Sequence, residues 1–507
     1  SLRVSTMETV EHLGGYLFLI LLSQAAGGVI ERSGIIHYAP DVFDSAWTAM
    51  AFMATALVLL GMSGPSRAAD TAPPNAAPDA EASDPRALGW MQGFPPPPDK
   101  RLSAADGSFF RFPALRWSVV HMREFLPTVE VSRGLGAPVP LPVALDGAID
   151  AIRFTPTGAR APMTWKASLA ANYTDGLVVL HRGRVVYEFY AGELREDRSH
   201  AAMSVTKSLT GTLAAMLAAE GVIDPAAPVT RYVPELAGSA FADARVRDVM
   251  DMTTCLRYSE DYADPEAEIW EYAKASNPLP QPGAEVVGTA AYLRTLQPEP
   301  GCRVGEAFAY KTPNADVLGW IVARASGTSV ATLLSERIWR RMGMEQAGYF
   351  QVDATGMPVA GGGFSAGLRD MARFGQLLLD GGSWQGEQLI PRAVVEDIRK
   401  GGSRAAFARS GHPGLAGWSY RDMWWVTHNA HGAFAARGVH GQTLYIDPKA
   451  EMVIVRFASH PQAGNVLAGV GTAFSTTGAI TANGGRVNIT ANSIAAQAIN
   501  SSLFTFL

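Results

Sequence analysis

The sequence predicts a mixed α/β (α+β) fold, with one sheet built from distant segments and a helical part inserted between them. Two observations predict it. β-rich hairpins lie towards both ends of the globular region, and apolar residues recur at helical spacing between them. Residues 177–180 and 184–190 are rich in Val, Leu and Tyr and flank His181-Arg182-Gly183, which reads as the first hairpin. A helix starts near Ser204 and runs to Glu220, with Leu209, Leu213, Met216 and Leu217 on one stripe. Gly221 stops it. Further helices are expected at 289–296, 315–325, 330–341 and 368–379. Residues 442–446 and 452–457 form a second hairpin across Asp447-Pro448-Lys449.

The ends differ from this middle. The chain has 507 residues, more than one typical domain of about 100–200. Hydrophobic residues make up 48% and charged residues 18%, which supplies a core and excludes a mainly disordered chain. Lys plus Arg number 42 and Asp plus Glu 47, a net charge of −5, so no basic field for nucleic acid is evident. Residues 1–69 form an apolar leader. Its stretches 13–30 and 46–62 sit at the lower limit for crossing a bilayer of ~30 Å. Ser66-Arg67-Ala68 follows the second stretch and has the small-x-small pattern of a cleavage site, so export to the periplasm or medium is expected. Membrane anchoring through the leader stays open, because Asp41 and Asp44 stand where a signal carries basic residues.

Residues 70–110 read as a Pro/Ala-rich linker and arm, extended and poorly able to build a core. Residues 111–465 are the expected globular domain, with sheet from about 150–200 and 345–465 and a helical part over 204–344. Residues 466–507 are a tail whose one charge is Arg486, with Asn483-Gly484-Gly485 as a hairpin turn. Two cysteines, Cys255 and Cys302, exclude a disulfide scaffold and a Cys-rich zinc site. They read as buried free thiols, although an oxidising compartment would allow them to pair.

The chemistry concentrates in a few places. Ser204-Val205-Thr206-Lys207 puts a serine and a lysine on one helix face, one turn apart. A serine hydroxyl needs a base to become a nucleophile, and a lysine in a dry site can serve. The helix start adds amide donors and partial positive charge. Tyr310 lies on a loop directly before an apolar helix. It could accept a proton from a serine if cations hold it as phenolate, or be a plain core tyrosine. Gly438-Val439-His440-Gly441-Gln442 enters an apolar strand, where glycines admit a substrate and strand amides can meet an oxyanion. His440 there could hydrogen-bond or polarise a substrate. The acidic, aromatic run 258–265 is either a wall over a cleft or a solvated loop.

The ordered set resembles a known family. Ser-x-x-Lys, then a tyrosine loop, then a Gly-flanked strand is the order of serine β-lactamases and penicillin-binding proteins. The longer strings from Met203 to Leu209, Asp224-Pro225 to Leu236, Glu260-Asp261-Tyr262, Asp316 to Trp320, Trp424-Trp425 and His440-Gly441-Gln442 resemble the 6-aminohexanoate-oligomer (nylon-oligomer) hydrolases. That branch is similar to class C β-lactamases and to carboxylesterases of the same fold. The resemblance spans roughly residues 90–461.

It implies a penicillin-binding-protein-like fold, an antiparallel sheet flanked by helices plus a helical domain. It implies that Ser204 is the acylated nucleophile and that Lys207 shares its proton and keeps Tyr310 anionic. Tyr310 is then the general base for acylation and the acid to the leaving group. The amides of Ser204 and Val439 would form the oxyanion hole, and Tyr262, His440 and Gly441 would bind substrate. The expected partner is a small-molecule amide or ester, with no nucleic acid, no metal and no organic cofactor; a homodimer stays open. The Tyr-x-Asn and Lys-Thr-Gly of class C β-lactamases become Tyr310-Lys311-Thr312 and Val439-His440-Gly441, which argues against β-lactam hydrolysis. The leading expectation is hydrolysis of linear amides. A carboxylesterase, a β-lactamase or DD-peptidase, and a non-catalytic sensor domain are the alternatives.

Overall fold

The order of hydrophobic runs dictates how the sheet is assembled. The computed structural model describes residues 77–155, 161–262, 264–279 and 286–463, and the backbone of 480–483 and 486–489. The principal strands are Thr128–Val131 (β1), Thr174–His181 (β2), Arg184–Tyr190 (β3), Ser199–Ala201 (β4), Gly348–Gln351 (β5), Phe364–Gly367 (β6), Ser419–Arg421 (β7), Trp424–Val426 (β8), Phe434–Gly438 (β9), Gln442–Asp447 (β10) and Met452–Ala458 (β11). The principal helices are Trp165–Ala171 (α1), Val205–Ala219 (α2), Glu268–Ala275 (α3), Pro313–Ser326 (α4), Val330–Arg337 (α5) and Leu368–Leu379 (α6).

The large sheet has the order β7-β8-β9-β10-β11-β2-β3 and is antiparallel throughout. The first hairpin docks on the last strand, so that Val178 lies opposite Val455 and His181 opposite Met452. Successive side chains point to opposite faces of a strand, and here both faces are covered. Leu177 and Val179 meet Trp165 and Leu169 of α1 on one side. Val178 and Leu180 enter the main core on the other, where α6 packs on β2, β10 and β11. Burial on both faces explains why residues 177–180 of β2 read as an unbroken apolar run rather than an alternating one.

Between the sheet segments runs the helical part, with α2 at its centre. Residues Val205 to Leu217 of α2 are all buried, and its buried hydroxyls at 206, 208, 210 and 212 are satisfied by carbonyls of α2 and its neighbours. It packs against α4 and α5 on one side and β8, β9 and β10 on the other. Pro313 opens α4 and Gly327, in left-handed backbone with φ 74°, ends it.

Four expectations change. A second, four-stranded sheet of order β1-β5-β6-β4 stands beside the helical part. Its strands are three or four residues long, too short for a visible alternation, and they pair across long stretches of chain. The segment expected to be an extended linker is packed from Ala77 onward. Ser83 is buried and accepts from Arg116 Nη1 at 2.9 Å, Tyr173 donates to the Pro78 carbonyl at 3.0 Å, and Trp90 joins Leu102, Ala114 and Trp117 in a small core. Prolines restrict the backbone without preventing their rings from packing, as buried Pro85 illustrates. Cys255 and Cys302 are not free thiols but form a disulfide across 47 residues of sequence. The loop after Cys255 and the turn at Cys302 bring the two Cα atoms to 5.7 Å, a separation that no spacing rule reveals. The helix expected over 330–341 ends at Arg337, followed by a 3-10 turn, Trp339–Arg341.

In the tail, Ile480–Asn483 pairs with Arg486–Ile489 antiparallel, with Asn483 opposite Arg486; Gly484 and Gly485 of the expected turn lie outside the described residues. The leader, including 13–30, 46–62 and Ser66-Arg67-Ala68, lies outside the described residues. Among the described residues no single helix is long and apolar enough to cross a membrane.

Candidate active site

Met203, immediately before α2, has φ 47°, a left-handed conformation that non-glycine residues adopt at a cost. This turn sets Ser204 at the helix start, almost wholly buried, beside a cavity of about 460 Å³. One turn on, Lys207 is fully buried. Its Nζ donates to Ser204 Oγ at 2.8 Å and to the Gly361 carbonyl at 2.6 Å. Burial pulls the Lys207 pKa down to about 8, against the opposing pull of the Glu260 and Asp316 carboxylates.

The Gly361 peptide is itself held. Its N–H donates to Asp316 Oδ1 at 3.0 Å, and Tyr272 donates to Asp316 Oδ2 at 2.7 Å. Asp316 sits inside apolar α4, where burial raises its carboxyl to about 6. Gly361 has to be glycine, since a Cβ there would lie 2.7 Å from Thr312 Cγ2 and 3.0 Å from Asp316 Oδ2.

Tyr310 stacks on Trp425 with ring centroids 5.5 Å apart, and its ring lies 5.1 Å from Lys207 Nζ. Among the described residues its hydroxyl makes no hydrogen bond of ordinary geometry, yet Ser204 is near enough to favour its ionised form, as does Arg437 of β9. Burial and Glu260 outweigh both and raise Tyr310 well above the usual phenol value. This environment opposes the phenolate expected at Tyr310. Arg437 is buried over the Trp425 ring at 5.0 Å, and burial lowers its pKa to about 9.

Glu260 ties the opposite wall together. It accepts from the Thr312 amide at 2.7 Å, from Thr312 Oγ1 at 2.7 Å and from the Tyr262 hydroxyl at 3.0 Å. Burial and this carboxylate keep Tyr262 a phenol as well.

The end of β9 abuts the start of α2. A Cβ on Gly438 would come within 2.9 Å of both the Ala202 carbonyl and the Ser204 amide nitrogen. Gly438, which precedes Val439, thereby lies against the Ser204 amide, and among the described residues neither the Ser204 nor the Val439 amide donates to a backbone carbonyl outside its own element. His440 has φ 62° and lines the cavity. Its Nδ1 donates to the His460 carbonyl at 2.7 Å, which leaves Nε2 as the lone-pair nitrogen. Burial pulls its pKa down to about 4, so the ring is neutral.

Six of the seven expected residues thus converge: Ser204, Lys207, Tyr310, Tyr262, Val439 and His440. Gly441 does not. It is absent from the residues lining the cavity, has φ 97°, and its carbonyl accepts from Arg456 Nη1 at 3.2 Å. The sequence reading assigned no role to Asp316, Gly361, Thr312 or Arg437. An aspartate inside an apolar helix and the run Gly361-Gly362-Gly363 were the available signals.

A profile of the Beta-lactamase family matches residues 168–468. The chain belongs to the beta-lactamase family. As a serine hydrolase of that family, it is 37% identical over 350 residues to a 6-aminohexanoate-dimer hydrolase from Paenarthrobacter ureafaciens, covering 69% of this chain and 86% of that protein. It superposes with a TM-score of 0.65, at 33% identity, on a solved Bacillus anthracis protein provisionally named a 6-aminohexanoate-dimer hydrolase. That match covers 73% of this β-lactamase-family chain and 96% of the other. An uncharacterised Mycobacterium tuberculosis protein is 24% identical over 325 residues, 53% of this chain and 79% of that one.

Proposed function

We propose that the protein hydrolyses linear amides through an acyl-enzyme on Ser204. The observation that carries this is the buried Lys207 Nζ, 2.8 Å from Ser204 Oγ, with a pKa near the working range of a base. Neutral Lys207 takes the Ser204 proton as Oγ bonds to the carbonyl carbon. The carbonyl π pair moves to oxygen, between the amides of Ser204 and Val439. The C–N bond then breaks, Tyr310 gives its proton to the departing nitrogen, and the Lys207 ammonium returns one to Tyr310. Water attacks the acyl carbon with Lys207 again as base, and Ser204 leaves reprotonated. In this scheme Tyr310 serves as acid only, because its environment keeps the proton on.

Tyr262, at the cavity wall, is the group to meet the leaving amine. The same chemistry on an ester would need less from Tyr310. The neutral His440, where class C β-lactamases carry a lysine motif, supports amide or ester substrates over β-lactams. Export is proposed with this function, supported by the leader and by the Cys255–Cys302 disulfide. Intact-mass analysis with 6-aminohexanoate dimer, short esters and a penicillin tests the reading. An acyl adduct is expected on the wild type and none on Ser204→Ala; turnover retained by Ser204→Ala excludes the nucleophile.

A further inference from the structure

The walls of the cavity carry a second message. The open face of the small sheet forms its floor, since the register that sets Thr128 opposite Gln351 and Tyr349 opposite Ser365 puts all four on one side. The arm adds Phe110, and the segment between it and β1 adds Met122 and Leu126. Helix α3 adds Ile269, Trp270 and Ala273, neighbours at helical spacing. Among the described residues no Asp, Glu, Lys or Arg side chain lines this space.

Four carboxylates near the cavity are committed elsewhere. Glu268 accepts from the Ser259 amide at 2.8 Å, and Glu271 pairs with Lys274 at 2.6 Å on the exposed side of α3. Glu260 holds Thr312 and Tyr262. Asp353, behind β5, accepts from the amides of Thr289, Thr355 and Met357. His440 is neutral. A substrate ammonium or carboxylate in this cavity would lose water and gain no counter-charge from the described residues.

We infer that the cavity selects an uncharged, largely apolar substrate chain and discriminates against chains ending in an ammonium or a carboxylate. The inference rests on acylation of Ser204. Its size fits: about 460 Å³ lies within the roughly 300–1,000 Å³ of small-molecule sites.

The test compares p-nitroanilides of hexanoic acid, 6-aminohexanoic acid and adipic acid, matched in chain length, with the full chain at pH 7.5. The hexanoyl compound is expected to exceed both charged ones at least tenfold in kcat/KM, mainly through KM. Ala273→Asp, on the exposed rim of α3, is expected to narrow the gap for the 6-aminohexanoyl compound and widen it for the adipoyl one at low salt. Equal or better turnover of either charged anilide by the wild type, with the acyl adduct on Ser204, overturns the inference and leaves the acyl-enzyme standing. No turnover of any anilide and no adduct overturns the acyl-enzyme reading, and this inference with it.

Discussion

Lys207 Nζ has Ser204 Oγ at 2.8 Å, the Gly361 carbonyl at 2.6 Å and no exposure to water, so its proton is loosely held. With its pKa near 8, about a tenth of it is neutral at pH 7. Amide kcat/KM is therefore expected to rise with pH and level off above about 8. Asp316 favours the ammonium, so removing its charge lowers the Lys207 pKa. Asp316→Asn is expected to move the rising limb to lower pH; an unmoved limb would assign it to another group. Tyr310→Phe separates acid from base. It is expected to cut amide hydrolysis by about 10²–10⁴-fold, and to spare p-nitrophenyl esters, whose leaving group needs no proton. Equal losses on both substrates would make Tyr310 a base. Ser204 and Lys207 were readable in the sequence because one helical turn brings them together. Asp316 and Gly361 were not, because they meet Lys207 only after α4 and the 361 turn fold against α2.

At the scale of elements, α2 meets the turn between β7 and β8 through residues 208, 211 and 212. Ser208 Oγ donates to the Met423 carbonyl at 2.6 Å, and Trp424 Nε1 donates to Thr212 Oγ1 at 3.1 Å. Gly211 between them admits the turn, since a Cβ would stand 2.0 Å from the Asp422 carbonyl oxygen. Helix propensity alone would make Gly211→Ala stabilising by about 1 kcal/mol. The contact predicts the reverse, a net loss of about 1–3 kcal/mol, read as a lower urea midpoint; a raised midpoint would mean that the turn gives way. The long elements were legible, with α6 matching its expected bounds and α2 within a residue, because each buries a periodic apolar stripe. The small sheet was not, since β1, β5, β6 and β4 acquire meaning only as a floor shared by four separated segments.

For the whole molecule, the disulfide restrains the unfolded chain over residues 255–302, the segment that carries Tyr262. Cys302→Ser is expected to lower unfolding free energy by about 2–4 kcal/mol, measured by urea titration without reductant; an unchanged value would show that the bond adds nothing to stability. The pairing was invisible in a pair of cysteines 47 residues apart, and the arm's packing was hidden behind its prolines. The docking of β11 between β10 and β2 has a bearing on biosynthesis. A ribosome has finished the nucleophile, its lysine and most of the helices well before the strand that closes the sheet exists. Until residue 458 emerges, β2 presents a free hydrogen-bonding edge that any other extended segment could occupy. Strand β11 is thus a checkpoint on completeness: a chain interrupted between residues 441 and 451 would hold nearly every catalytic group and no finished fold.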